Sequence, residues 1–346
     1  MTIAKVNLLN DYNTVAHPLV LEALQARLTE KYDGYGIDED SEAARETILG
    51  LVQNPGAAVH FLIGGTHANL VAISAFLRPH EAAIAPFPAH ISLHETGAIE
   101  ASGHKVLTVE SSDGKLHIEA IEKILKTYSS EHMVKPRLVY ISQTTEYGTV
   151  YTRKELTNLH EFCRENDLLL YVDGARLGYA LTSDYNNLSL PQIAELTDAF
   201  YIGGTKSGLL FGEALVLCNP KLGSDFRYFI KQRGGLLAKG FLLGIQFQAL
   251  FKDNLYFDLA RKANVTAARL SLELHSLGYR FEIETESNQL FPIVENAMLS
   301  KISEHILFNE WNPIGTEQTS IRFVVSWATT EDEIRTVIEF MKQSKA

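Results

Sequence analysis

Two strand-end residues carry the strongest chemical signal in the chain. Leu168-Leu-Leu-Tyr-Val-Asp173 is an apolar run that stops in a carboxylate, and Phe200-Tyr-Ile-Gly-Gly-Thr-Lys206-Ser-Gly runs into a glycine-rich turn holding one lysine. In open α/β sheets ligands bind beyond the carboxyl ends of the strands, which places Asp173 at a ligand site; an Asp before Gly also caps the turn into a following helix, and the local pattern allows both. A lysine between glycines at the end of a buried strand is partly desolvated, which lowers its pKa and frees the amine for a Schiff base. An isolated Gly-Lys turn is as readily a solvated loop. The pair is more informative than either member. A strand-end carboxylate followed by a strand-end lysine is what pyridoxal phosphate (PLP) chemistry requires, the lysine holding the aldehyde as an imine and the acid keeping the pyridine nitrogen protonated.

Other groups add weaker signals. Phe61-Leu-Ile-Gly64-Gly65-Thr66-His67 reads as strand, glycine turn and helix start, so backbone N–H groups and the Thr66 hydroxyl converge on a spot suited to a phosphate. It lacks the glycine spacing of dinucleotide-binding turns and of P-loops. His90 opens a short helical stretch after Pro86-Phe-Pro-Ala, where an aromatic ring can stack on a pyridine face or move protons. His90 and His94 are spaced to share a metal on one helix face, but no third ligand is paired with them, so no metal is expected.

The elements that must position these residues follow from periodicity. Short β-branched apolar runs at 59–63, 82–85, 105–109, 138–142, 168–172, 199–202 and 214–218 alternate with helical patterns at 67–76, 118–127 and 154–165. That is the mark of βαβ units and a mainly parallel sheet. From 220 to 275 the pattern is helical, interrupted by glycines; beyond it, strands at 281–284, 290–294 and 321–327 interleave with helices at 297–305 and 331–341. The division expected is a large α/β domain over 1–250, including an N-terminal arm, and a small α+β domain over 251–346.

Composition narrows the function classes. The 346 residues are 46% hydrophobic and 21% charged, an ordinary globular balance, and the net charge of -11 argues against a nucleic-acid binder. Cys163 and Cys218 are too few for a disulfide scaffold and read as buried reduced thiols. The opening residues show no apolar stretch of signal-peptide length, and the apolar segment 234–251 is broken by Lys239, Gln246 and Gln248, so no membrane association and a cytoplasmic location are expected.

Taken in order, Asn10-Asp11, Tyr35-Gly36, Gly64-Gly65-Thr66-x-Ala68-Asn69, Ala89-His90, Asp173-Gly-Ala-Arg176-Leu177, Thr205-Lys206-x-Gly208 and Ile321-Arg322-Phe-Val resemble the fold-type I PLP enzymes, aspartate aminotransferase-like in fold, and within them the threonine aldolase family. The resemblance implies that Lys206 is the Schiff-base lysine, that Asp173 pairs with the pyridine nitrogen, that Gly65 and Thr66 grip the phosphate, and that Thr205 is also among the cofactor contacts. It implies that His90 stacks over the ring and helps deprotonate the substrate hydroxyl. Arg176 would reach the substrate carboxylate or the cofactor's phenolic oxygen, and Arg322 would make the main carboxylate contact. Asn10 stands where members of the family usually carry serine, leaving a substrate contact in question. Tyr35 would face a neighbouring subunit's site in a homodimer or homotetramer. Leu237 falls where a phosphate-binding arginine is often found, with Arg233 and Lys239 as substitutes.

The implied reaction is aldol cleavage of an L-β-hydroxy-α-amino acid (threonine, allo-threonine or a bulkier phenylserine-like substrate) to glycine and an aldehyde. Its rivals are another PLP reaction on the same scaffold, such as transamination or β-elimination, a silent PLP-fold binding protein, and a metal hydrolase built on His90 and His94.

Overall fold

The computed structural model describes residues 5–345. After a two-residue strand, β1 (Val6–Asn7), the chain builds a seven-stranded sheet from β2 (Ala58–Leu62), β3 (Glu81–Phe87), β4 (Val106–Glu110), β5 (Lys135–Ser142), β6 (Leu169–Asp173), β7 (Ala199–Gly203) and β8 (Glu213–Leu217). Their order across the sheet is β2-β8-β7-β6-β5-β3-β4. Every neighbour pair is parallel except those involving β8, which runs against both β2 and β7. All seven strands expected from the sequence are present, within a few residues of their expected limits. The fold is thus the expected α/β architecture with a small, antiparallel C-terminal sheet.

The central strands are apolar on both faces because helices cover both. Along β5, β6 and β7 the pleat sends Val139, Ile141, Leu170, Val172, Phe200 and Ile202 into one core and Leu138, Tyr140, Leu169, Tyr171, Ala199 and Tyr201 into the other. Each large side chain fully removed from water contributes about 1.5–3 kcal/mol. One consequence bears on the site: Tyr140, Tyr171 and Tyr201 share a face, on three adjacent strands, and all are fully buried. The covering helices begin at sequence-legible caps. Thr152 and Glu155 form a reciprocal capping box at the start of helix Arg153–Glu165, and Asp38 caps helix Glu39–Val52.

The C-terminal part carries β9 (Gln289–Leu290), β10 (Ile293–Glu295), β11 (Ile306–Leu307), β12 (Asn309–Ile314) and β13 (Gln318–Val324). β13 is the hub, antiparallel to β9, β10 and β12. The expected strand at 281–284 is reduced to a single bridge, Phe281 with Pro292, and the run expected over 290–294 is split into β9 and β10 around Phe291-Pro292, where proline lacks the N–H needed for the ladder. β12 has no alternating apolar pattern and was not anticipated; it exists because β13 offers it an edge. β1 pairs in parallel with β11, so Val6 and Leu8 join the C-terminal core. The helical region 220–275 contains an irregular stretch at 233–240, followed by helix Phe241–Phe251 and the long helix Leu255–Ser276.

β6 and β7 come together most tightly just past their ends. Gly203 N donates to Gly174 O, and a Cβ on Gly174 would overlap the carbonyl oxygen of Tyr201. Gly174→Ala is therefore expected to destabilise by about 1–3 kcal/mol or more. Gly223, with open space around it, should tolerate alanine within about 0.5 kcal/mol. Thermal unfolding of both variants checks this; equal midpoints would show that the strand ends can part freely.

Candidate active site

A cavity of about 260 Å³ opens along the carboxyl ends of the parallel strands. Five of the strands or their following loops supply walls, β4 at the sheet edge supplying none: Gly64, Gly65 and Thr66 after β2, His90 after β3, Ser142, Thr144 and Glu146 at and after β5, Asp173, Ala175 and Arg176 from β6, Thr205 and Lys206 after β7. Glu213 also lines it. It opens β8, and because β8 is antiparallel its beginning lies at the edge where its neighbours end.

Asp173 forms the most heavily bonded part of the site. Tyr140 Oη donates to Oδ2 at 2.6 Å, Asn69 Nδ2 donates to the same oxygen at 2.9 Å, Tyr201 Oη donates to Oδ1, and Ala175 N donates to Oδ1 at 3.0 Å. Burial alone would raise the pKa of this carboxyl, but His90 and the donors outweigh it and hold the pKa below the usual value. The capping interaction and the ligand position, left as alternatives by the local sequence, coexist: Ala175 N takes one oxygen while the carboxylate still faces the cavity. Asn69 links this group to the next one. Its Nδ2 also donates to Glu95 Oε1 at 2.8 Å, its Oδ1 accepts from Tyr171 Oη at 3.1 Å, and Glu95 Oε1 lies 2.7 Å from His90 Nδ1. Burial works against a charge on His90, yet the Glu95 contact, with Glu146 and Asp173 nearby, leaves its pKa raised. With Nδ1 occupied, Nε2 is the nitrogen left to a ligand.

Lys206 sits in a single 3-10 turn, Thr205–Ser207, clamped on both sides. Tyr179 Oη donates to the Lys206 carbonyl at 2.7 Å, Thr205 Oγ1 donates to Glu213 Oε1 at 2.8 Å, and Gly204 N donates to Glu213 Oε2 at 2.9 Å. Desolvation and the neighbouring Arg176 lower the Lys206 pKa, against the pull of Asp11, Glu146 and Asp173. Desolvation raises the Glu213 carboxyl to about 7 despite these donors. Thr205, expected among the cofactor contacts, thus also serves as the tie between the lysine turn and β8.

Arg176 meets Asp11 across the fold. Nε donates to Oδ2 at 2.7 Å and Nη2 to Oδ1 at 3.0 Å, and Asn288 Nδ2 donates to Oδ2 at 3.0 Å. Burial disfavours both charges, but their mutual attraction raises the Arg176 pKa and lowers that of Asp11. Arg176 lines the cavity, and its Nη1 has no hydrogen-bond partner among the described residues.

The remaining expected residues lie outside the cavity lining. Arg322 packs its guanidinium over Trp311 at 4.7 Å, with Nε buried and without a partner among the described residues; burial and repulsion from Arg176 lower its pKa, while Glu146 and Asp11 act in the opposite sense. Asn10 turns its Oδ1 to the Tyr12 N–H at 3.1 Å and so shapes the turn that brings Tyr12 to the cavity, where Lys206 Nζ lies 6.0 Å from the Tyr12 ring centroid. Tyr35 is half-exposed beside Lys231, away from the cavity. Arg176 and Lys206 are the only lysine or arginine side chains lining it among the described residues, so neither Arg233 nor Lys239 does, and neither does Leu237. The ring of His94 lies 5.5 Å from that of His90, and among the described residues no group of three or more His, Cys, Asp or Glu side chains is placed to hold a metal ion. Nor is any described helix long and apolar enough to cross a membrane.

Tyr12, Ser142, Thr144, Glu146, Phe211 and Glu213 were not singled out from the sequence, yet all line the cavity. Ser142, Thr144 and Glu146 were accessible to the strand-end rule, since they end and follow the run 138–142; Glu213 was not, because it begins a strand.

The residues present fit PLP. A buried, donor-supported acid and a desolvated lysine share one cavity, and the helix Gly65–Phe76 turns its N-terminus into it. A Cβ on Gly65 would stand 3.1 Å from Tyr201 Oη, so the cradle there is kept open by glycine.

Comparison with known proteins gives a consistent picture. A family model described as Beta-eliminating lyase matches residues 7–297. A low specificity L-threonine aldolase from a Pseudomonas species is 33% identical over 313 residues, spanning 87% of each chain. The solved threonine aldolase of Leishmania major superposes with a TM-score of 0.96 at 47% identity, covering 98% of this chain and 99% of that one. An aromatic aminotransferase from Pyrococcus horikoshii, 18% identical with a TM-score of 0.70 over 98% of this chain and 94% of its own, shares the fold.

The Asp11–Arg176 pair supplies a direct test of the site's construction. Asp11→Ala leaves a buried guanidinium without its anion, a loss of about 3–5 kcal/mol. Calorimetry should show a midpoint lowered by several degrees; an unchanged midpoint would mean that Arg176 is not held by Asp11.

Proposed function

The chain belongs to the beta-eliminating lyase family, among its threonine aldolases, and from that premise we propose how its own residues do the work. It is a PLP-dependent lyase that splits threonine-type L-β-hydroxy-α-amino acids into glycine and an aldehyde. The observation that carries the reading is the meeting of Asp173 and Lys206 in one cavity at the strand ends, the acid kept ionised by neighbouring donors and the amine desolvated by burial.

Lys206 is the covalent anchor, its lowered pKa keeping more of the amine unprotonated near neutrality. Asp173 holds the pyridine nitrogen, and its supporting donors fix the carboxylate in position. The N–H groups around Gly65 and the Thr66 hydroxyl hold the phosphate, with the Thr205 turn beside them. When bound, PLP supplies a protonated ring that takes up the electron pair left on the α-carbon. His90, braced at Nδ1 by Glu95, would lie against the bound ring and offer Nε2 to the substrate's β-hydroxyl. Arg176 Nη1 meets the substrate carboxylate or the phenolic oxygen, and Arg322, outside the cavity lining but within reach of the charges of Arg176 and Glu146, supplies the main carboxylate contact, where a planar fork fits two oxygens. Clamping that carboxylate orients the Cα–Cβ bond for cleavage. The apolar rings of Tyr12 and Phe211 at the cavity support acceptance of phenylserine-like substrates beside threonine and allo-threonine.

The chain divides near residue 250 into a cofactor-binding domain and a smaller C-terminal one. It assembles as a homodimer or homotetramer in which Tyr35 and the turn carrying Asn10 face shared sites; the exposed apolar side chains of Tyr12, Val15, Leu19, Leu28, Tyr35 and Ile37 support this. A cytoplasmic location is supported by two free, buried cysteines whose thiols burial pushes up to about 12.

Lys206→Ala should abolish the visible cofactor absorbance and turnover together; a variant that still cleaves threonine refutes the assignment. His90→Asn should lower kcat by about 100-fold while PLP stays bound, measured by aldehyde release and absorbance. Unchanged kinetics would remove His90 from the chemistry.

A further inference from the structure

Glu146 is a carboxylate in the cavity wall with no hydrogen-bond partner among the described residues. The residue is only 8% exposed, its oxygens open onto the cavity, and among the described residues no backbone or side-chain donor bonds to them. Its surroundings are cationic: Arg176 and Lys206 from the ends of β6 and β7, Arg322 from β13, and His90 and His94 after β3 all feel its charge. It is also held still. The turn Thr145–Thr149 closes on itself, with Thr145 N donating to Thr149 O at 3.0 Å and the Oγ1 atoms of the two threonines 2.7 Å apart. Ser287 Oγ donates to Gly148 O at 2.7 Å, and Asn312 Nδ2 donates to Tyr147 Oη at 3.2 Å, so the C-terminal part braces the same turn.

A carboxylate that opens onto a cavity without a donor from the protein is left to bond whatever fills that cavity. Resting on the reading above, a β-hydroxy-α-amino acid offers three polar groups. Its carboxylate goes to the arginines and would be repelled by Glu146, and its amino nitrogen takes the place of the Lys206 amine. The β-hydroxyl is left. We propose that Glu146 is a further catalytic residue, the acceptor of the substrate's β-hydroxyl proton. The hydroxyl O–H bond breaks as the Glu146 O–H bond forms. The released pair becomes the aldehyde C=O bond, the Cα–Cβ bond breaks, and its electrons remain on the glycine carbon, which then takes up a proton. His90 is less suited to accept, because its Nδ1 is tied to Glu95 and its raised pKa favours an imidazole that already carries its proton. Its part is to hold the oxygen from the ring side.

The test uses the holoenzyme, with threonine as the cleaved substrate and glycine, which has no β-hydroxyl, as the control ligand. Glu146→Gln should lower kcat for threonine at least about 100-fold, while the glycine-induced change in cofactor absorbance keeps its half-saturation within about twofold, a 0.4 kcal/mol shift in binding. Glu146→Asp, which withdraws the carboxylate by one methylene, should retain glycine binding and cleave at least about tenfold slower than the parent; it serves as the second variant if the amide disturbs folding. Parent-like cleavage by either variant overturns the proposal. So does a parallel loss of glycine binding, which would make Glu146 a support of the pocket. If the parent holoenzyme itself releases no aldehyde, the failure lies with the aldolase reading instead.

Discussion

A carboxylate removed from water survives as an ion only if donors surround it, and Asp173 sets that condition for the site. Burial pushes its pKa up, and Tyr140, Tyr201, Asn69 and the neighbouring imidazole bring it back below the usual value. Meeting the condition requires three adjacent strands in fixed register, because Asp173 ends β6, Tyr140 and Tyr201 reach it from β5 and β7, and Tyr171 on the same face reaches Asn69. The parallel sheet therefore does more than enclose a core. Its regularity aligns hydroxyl groups that lie far apart in the chain, and Asn69 extends the same network to Glu95 and His90.

The lysine faces the opposite problem. Its amine must lose charge readily, and desolvation next to Arg176 achieves this while Asp11 neutralises part of the arginine's field. The Asp11–Arg176 contact is consequently both structural and electrostatic: it links the N-terminal segment to the loop after β6 and moderates the charge felt by Lys206. Asn288 joins the same carboxylate from the C-terminal part, so three distant stretches of the chain converge on one buried ion pair. Such convergence explains why β1 belongs to the core containing β13 although it is first in sequence.

Sign and placement of charge divide the cavity. Asp173 and the lysine define its base, the helix N-terminus at Gly65 suits an anion, and the arginines suit a carboxylate. Glu146 breaks this pattern, a negative group among cations with no donor among the described residues, and its opening onto the cavity is what marks it for the hydroxyl of a substrate.

Much was legible from the chain alone, because the deciding forces are local. Continuous apolar runs placed all seven strands of the large sheet, helical periodicity placed the covering helices at 67–76, 118–127 and 154–165 but not Glu39–Val52 or Leu190–Leu196, and an acid and a lysine at strand ends indicated the cofactor chemistry. Polarity at 309–314 hid β12, whose existence depends on the edge of β13, and Phe291-Pro292 split an expected strand by removing a donor. Tertiary structure alone decided which remote groups meet. The pairing of Arg176 with Asp11, the convergence of Tyr140, Tyr171 and Tyr201 on one network, and the arrival of Glu213 at the catalytic edge through an antiparallel strand depend on register and strand direction. Neither leaves a trace in the spacing of neighbouring residues, since both are settled by long-range packing.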